Sequence, residues 1–368
     1  MVLVDGHVHF TKPESGESLK AGRDDSPWVN PDYRGKTLAE FVNGRRECED
    51  YAFLDIVGTL GSAGFPALPH VVDKIYQART GSGIGRFALL TIDYPGSTQP
   101  TNEEMLRLVE AFPEIMGSVS VNPNSENAAN RLYERLRKLA ELNEKLRNGW
   151  RPVVKMHPLQ QKFDPGNLGA KELGRMYAMM EEMGAVLVTH TGVFQRAQVE
   201  GDVVIADPAR LIPVAERHPK LNIVLAHMGT PDIAVVNWWG AQGVQVRHFG
   251  NALEMMGRFP NVYGDMGGLL WTGDRPAGVY GECACRNYNF GERAQFGFSN
   301  ANEILEAERR SLWRTGLRAL GFGRNQLHRK LIYGSDFPVA GKGDLEKQIR
   351  KLGGFNPAEN TAKVFARA

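Results

Sequence analysis

The chain has 368 residues, and 44 Lys+Arg against 42 Asp+Glu leave a formal charge of +2, so the charge balance advertises neither nucleic acid nor an anionic membrane as a partner. Hydrophobic residues at 42% and charged residues at 23% exclude a disordered, collagen-like or coiled-coil chain. Three cysteines, Cys48, Cys283 and Cys285, are too few for a disulfide framework and fit a reducing, cytoplasmic compartment; the Cys283-x-Cys285 pair is too close for the usual zinc knuckle. No run approaches the roughly 20 apolar residues of a membrane span, and the opening Met-Val-Leu-Val is too short, and lacks the cationic start, for a secretory signal.

From the N-terminus onward, short runs of β-branched and apolar residues end in a polar residue and then Gly or Pro, the pattern of buried parallel strands feeding loops. They are Val2 to Asp5, Leu54 to Leu60, Phe87 to Ile92, Gly117 to Val121, Pro152 to Met156, Ala185 to Thr189, Asn222 to Ala226, Asn261 to Gly264 and Leu331 to Gly334. Amphipathic segments at helical spacing lie between them: Glu103 to Phe112, Ala128 to Leu146, Ala170 to Met183 and Pro208 to Arg217. Strand then helix, repeated, implies right-handed βαβ units and an α/β fold. A (β/α)8 TIM barrel needs eight strands, so one early run, Leu54 to Leu60 or Phe87 to Ile92, is misread or accessory. An open doubly wound sheet would carry a Gly-rich phosphate loop after an early strand, whereas Gly81-Ser82-Gly83-Ile84-Gly85 precedes a strand and reads as a flexible connection. No linker, repeat or low-complexity tract divides the chain, so a single barrel domain over 1–368 is expected. Thr11 to Lys36 and Trp271 to Asn300, rich in Gly, Pro, Arg and aromatics, read as long loop insertions over the C-terminal face, with a surface excursion or an oligomer contact as the alternative.

The histidines fall at strand ends. His7 and His9 end the first run, His190 ends Val186-Leu-Val-Thr-His, His227 ends Ile223-Val-Leu-Ala-His, and Asp336 follows Leu331-Ile-Tyr-Gly-Ser. In a parallel barrel all C-terminal strand ends meet at one face, so these residues converge despite their separation in sequence. Two residues apart on a strand, His7 and His9 point to the same side, the arrangement for two imidazoles to grip one metal ion. Imidazole nitrogen and carboxylate oxygen suit zinc first, with Mn, Fe or Co as alternatives, and an open coordination position would activate a water near neutral pH. Lys155, in Val153-Val-Lys-Met-His-Pro, is costly to bury charged, so it pairs with a carboxylate or holds an anionic substrate unless its amine is modified. His157, on the same side and nearer the mouth, contacts substrate or caps the turn before Pro158.

Gln160, Gln161 and Arg196, just past strand ends, are placed either to meet polar or carboxylate groups of a substrate or, as the competing reading, to serve the surface or packing. Trp238, Trp239, Trp271, Arg286 and Tyr288 are placed to line a pocket with aromatic walls, with surface or packing roles as the competing reading. His70, His218, His248 and His328 lie away from strand ends and are background; Met179-Met180 and Met255-Met256 read as core filling.

Asp5-Gly-His-Val-His, a histidine after each of two later consecutive strands, and Gly334-Ser-Asp-Phe-Pro together resemble the amidohydrolase superfamily. The absence of a large flanking β-sandwich and the closing Asn356-Pro-Ala-Glu-Asn-Thr-Ala-Lys-Val-Phe are similar to its amidohydrolase-related branch, which includes aminocarboxymuconate semialdehyde decarboxylase and dicarboxylate lactonases. The resemblance implies that His7, His9 and Asp336 bind a catalytic divalent metal, that Asp336 also shuttles the proton, and that His190 is a further ligand. His227 is then a ligand of a second metal or a group that polarises substrate or orients water. Lys155 stands where binuclear members carry a carboxylated lysine bridging two metals, so one or two ions remain open.

The leading function is a metal-dependent hydrolase cleaving an amide, lactone or ester of a small molecule through metal-activated water, with Asp336 and His227 catalytic and His157, Arg196 and Trp271 at the substrate. Two alternatives stand beside it: a metal-dependent, non-oxidative decarboxylase of an aromatic or unsaturated acid, and a barrel that binds metal or ligand without catalysis. A small-molecule substrate is the expected partner, without nucleic acid or membrane; a homo-oligomer through helices or the long inserts is left open.

Overall fold

The computed structural model describes residues 3–8, 84–94, 101–111, 115–192, 204–229, 242–265, 329–332, 334 and 358–367. Eight strands form one sheet in sequence order, every neighbouring pair parallel. They are β1 Leu3–Val8, β2 Ile84–Leu89, β3 Ile115–Val119, β4 Val153–Met156, β5 Val186–His190, β6 Asn222–Ala226, β7 Val262–Asp265 and β8 Leu331–Ile332. The helices are α1 Asn102–Ala111, α2 Ala128–Lys145, the single turn α3 Pro158–Gln161, α4 Lys171–Glu182, α5 Ile212–Arg217 (entered through a 3-10 turn at Pro208–Leu211), α6 Gln242–Arg258 and α7 Ala358–Phe365. Eight parallel strands in order with helices returning between them make the (β/α)8 TIM barrel that the strand–helix alternation implies.

The run Phe87 to Ile92 is a true strand of this sheet, though it pairs three residues earlier, at Ile84–Leu89, so that Gly85 belongs to the strand rather than to a loop before it. The run Leu54 to Leu60 and the two long inserts lie outside the described residues.

Alternation along the strands explains the near-continuous apolar runs. Ala88, Leu90, Met116, Val153, Val186, Val188, Val224, Ala226 and Ile332 form one buried cluster, joined by Tyr263. The intervening residues Val154, Leu187, Ile223, Leu225 and Val262 are also buried, on the opposite face, against helices. Both faces of strands β3 to β6 are therefore covered, and polar residues gather at the strand ends, with Ser118 and Lys155 as buried exceptions inside β3 and β4.

The N-terminal end of the barrel is plugged by α7. This helix contacts both β1 and β8, the first and last strands. Its Val364 and Phe365, with Trp150 from the residue run before β4, belong to the interior cluster. Arg151 N–H donates to the Phe365 carbonyl at 2.8 Å, Arg367 N–H to Gly149 at 2.8 Å, and the Asn360 amide to Leu331 at 2.8 Å. With that end closed, polar side chains that project from the strands can gather only at the other. Among the described residues no helix is long and apolar enough to cross a membrane.

Candidate active site at the C-terminal strand ends

Strands β4, β5 and β6 bring three histidines together. His157, the residue after β4, stacks on His190 at the end of β5, with ring centroids 3.9 Å apart and planes within 9°. His227, the residue after β6, meets His190 edge-on at 4.8 Å and 61°. The register accounts for the cluster: Met156 pairs with Thr189, and His190 with Ala226, so the three histidines follow three adjacent strands at nearly one height. His157 and His190 are buried at 3% and 8% exposure, and His227 is half-buried. Two stacked imidazoles both charged at this distance would repel each other, which disfavours the doubly protonated pair.

One row below, Lys155 is wholly buried on β4, in register with Val188, Val224 and Tyr263 of the interior cluster. An ammonium in that row needs a counter-charge or ligand to offset its desolvation.

His157 is also a cap. Its Nδ1 accepts the Gln160 N–H at 3.4 Å at the start of α3, which puts Nε2 on the edge of the ring away from that bond. The capping alternative for His157 is thus realised. Gln161 takes the packing role, its side chain spent inside the protein. It accepts the His157 N–H at 2.8 Å and donates to the Asp93 carbonyl at 3.0 Å and to Ser120 Oγ at 3.3 Å, so it joins the ends of β2, β3 and β4 rather than offering an amide to a substrate. Ser118 and Ser120 extend the same lattice, accepting the Thr91 and Asp93 N–H groups at 2.8 and 3.0 Å.

The loops after β4 and β5 are clamped by Arg210, whose Nε donates to Asp164 Oδ1 at 3.0 Å and whose Nη2 makes a second contact with Oδ2. Burial works against the Asp164 charge, but Arg210 and the Gly166 N–H outweigh it and hold the carboxyl below its ordinary value. Asp207 caps the 3-10 turn through Ala209 N–H at 2.9 Å and accepts Asn251 of α6 at 2.8 Å, with His248 Nε2 3.7 Å away. His248 is therefore structural, as is His218, buried beside Glu181 at 3.1 Å. His70 and His328 lie outside the described residues. Met180, Met255 and Met256 are core, and Met179 is half-buried.

Asp265 was not among the expected site residues. It ends β7 wholly buried, paired with Ile332 and, across β6, in the row of Ala226 and His190. A Cβ on the preceding Gly264 would meet Met256 and Met228 on the helix side, so Asp265 takes the opposite, interior direction. Its signal was the strand-end position it shares with the histidines.

His7 lies in β1, whose pairing with β2 slips between Asp5 and Val8; the strand has an extra residue at Gly6–His7, a bulge of the sort that re-aims side chains beside active sites. His9, Arg196, Trp271 and Asp336 lie outside the described residues, as do Trp238, Trp239, Arg286 and Tyr288. Among the described residues no three His, Cys, Asp or Glu side chains form a metal-holding group.

No curated protein matches the chain. Three solved structures are similar in outline. A probable 2-pyrone-4,6-dicarboxylic acid hydrolase from Acinetobacter baumannii with citric acid bound is 12% identical, with a TM-score of 0.49 and 99% of each chain covered. A 2,6-dihydroxybenzoate decarboxylase complexed with 2,6-dihydroxybenzoate is 11% identical, with a TM-score of 0.43 over 99% of this chain and 97% of that one. The 2,6-dihydroxybenzoate decarboxylase from Rhizobium is 10% identical, with a TM-score of 0.40 over 100% and 95%. The amidohydrolase family profile matches residues 93–367, from just past β2 to just past α7 and through every described histidine of the cluster, and the chain belongs to that family.

Proposed function

We propose that the chain is a metal-dependent hydrolase that opens an amide, lactone or ester bond of a small molecule. The observation that carries this reading is the cluster of His157, His190 and His227 at the mouth of a barrel whose other end is closed. The donor types suit a divalent metal: imidazoles at the ends of adjacent strands, His157 and His190 buried and His227 half-buried, above a buried lysine. His7, His9, Asp336 and His190 would hold it; if the amine of Lys155 is carboxylated, Lys155, His190 and His227 would hold a second ion, and otherwise His227 faces the substrate or the attacking water. The metal supplies a Lewis acid that makes water nucleophilic at neutral pH and polarises a carbonyl.

The chain's own groups do the rest. Asp336 takes a proton from the attacking water and returns it to the leaving oxygen or nitrogen. His227 polarises the substrate carbonyl or orients the water, and the apolar rows beneath keep bulk water away, which strengthens every electrostatic contact with the developing oxyanion. His157, stacked on His190, fixes that ring's plane. Arg196 and Trp271 are assigned to the substrate.

The test is turnover by zinc- or manganese-loaded protein on a panel of lactones, amides and carboxylic acids, beside Asp336→Asn. Hydrolysis that falls at least about a hundredfold in the variant, with metal content unchanged, supports the assignment. Release of carbon dioxide from an aromatic or unsaturated acid moves it to a decarboxylase, and turnover of nothing on the panel points to a binding barrel.

A further inference from the structure

His227, Met228 and Gly229 form a turn in which all three residues are left-handed, with φ of 65°, 49° and 70°. Glycine takes this conformation freely, but histidine and methionine do so only when the surroundings impose it. Two restraints act on it. Met228 is wholly buried between sheet and helix, where a Cβ on Gly264 would come within 3.0 Å of its Cγ and Sδ. The second is Thr191, the residue after His190, 2% exposed. Its hydroxyl donates to the Ala226 carbonyl at 2.7 Å and accepts the Gly229 N–H at 2.9 Å, while its own N–H donates to the same carbonyl at 3.2 Å. One hydroxyl therefore bonds the backbone at the residue before and two residues after His227, bracketing the turn.

We infer that Thr191 is a positioning residue for His227. Through it, the strand that carries His190 sets the backbone that carries His227, so the two rings keep their 4.8 Å edge-on contact. Only the consequence for turnover rests on the proposed role of His227; the positioning itself does not.

The experiment uses the full chain labelled with 13C,15N-histidine, with the His227 imidazole signals identified by their loss in His227→Gln. Thr191→Val keeps the shape and removes the hydroxyl, and Thr191→Ser keeps the hydroxyl. The inference expects Thr191→Val to move the His227 signals and Thr191→Ser to leave them in place. It is overturned if Thr191→Val leaves them in place, or if Thr191→Ser moves them equally. Hydrogen exchange of the Gly229 amide in the unmodified protein gives a check that depends on no variant: protection is expected, and exchange at the rate of an open amide overturns the inference. On whatever substrate the panel identifies, kcat should fall by about tenfold or more in Thr191→Val with little change in KM, and recover in Thr191→Ser. Moved His227 signals with undiminished kcat would uphold the positioning and refute the catalytic role of His227.

Discussion

Replacing Gly229 with alanine tests the architecture around the site without any knowledge of substrate. Gly229 has φ +70°, and a Cβ there would lie 2.5 Å from the His248 carbonyl oxygen, 2.7 Å from its carbon and 2.9 Å from Pro208 Cγ. The left-handed conformation alone costs a non-glycine residue about 1–2 kcal/mol. The clash is with the backbone of α6, which cannot rotate aside, so the helix must move off the turn, at about 1–3 kcal/mol more for overpacking. The total is about 2–5 kcal/mol. Gly149 is the internal control: its φ is +72°, but nothing lies within 4 Å of its Cβ position, so Gly149→Ala should cost only the conformational part. Urea unfolding of both variants, with ΔG taken from midpoint and slope, gives the difference. A Gly229→Ala variant no less stable than Gly149→Ala would refute the close approach of α6 to the His227 turn.

Phe365→Ala should destabilise by about 3–5 kcal/mol in thermal or urea unfolding, because Phe365 is fully buried in the plug that closes the barrel; a loss below about 1 kcal/mol would mean that the end is open. Gln161→Leu strips the His157 N–H, the Asp93 carbonyl and Ser120 Oγ of buried partners and should cost about 2–4 kcal/mol, whereas a neutral result would return Gln161 to the substrate. Asp164 is held below its ordinary 3.8 in the folded protein, so its contribution is complete above the unfolded value and disappears as pH falls through the lower folded one. Asp164→Asn should therefore flatten the loss of stability on acidification below about pH 4, measured by urea midpoints at falling pH; an unchanged acid limb would contradict the clamp.

The strands with the site histidines were legible because a purely parallel barrel covers both strand faces, so any polar residue within an apolar run stands out at its end. Val186-Leu-Val-Thr-His and Ile223-Val-Leu-Ala-His show this directly. What lay hidden depended on tertiary context. Gly85 and Arg86 look unlike strand residues, and only the pairing of Ile84 and Arg86 with β1, which steps over Gly85, carries the strand through them. Asp265 does not stand out in the sequence because Gly264 reads as the end of its run, whereas the missing side chain of Gly264 is a concession to Met228 and Met256 and not a stop. Gln161 looked available because sequence shows an amide past a strand end but not the three groups that claim it. The left-handed turn at His227 was unreadable, since methionine is among the last residues expected there and Thr191 supplies the reason from another strand.

The central claim is that the histidines at the barrel mouth hold a divalent metal used in catalysis. Elemental analysis of purified protein, grown with zinc and manganese supplied, tests it directly alongside His190→Ala. The account predicts about one or two tightly held divalent ions per chain, lost in His190→Ala while the fold persists. A well-folded wild-type protein that carries no ion and takes up none when titrated with zinc or manganese would contradict it.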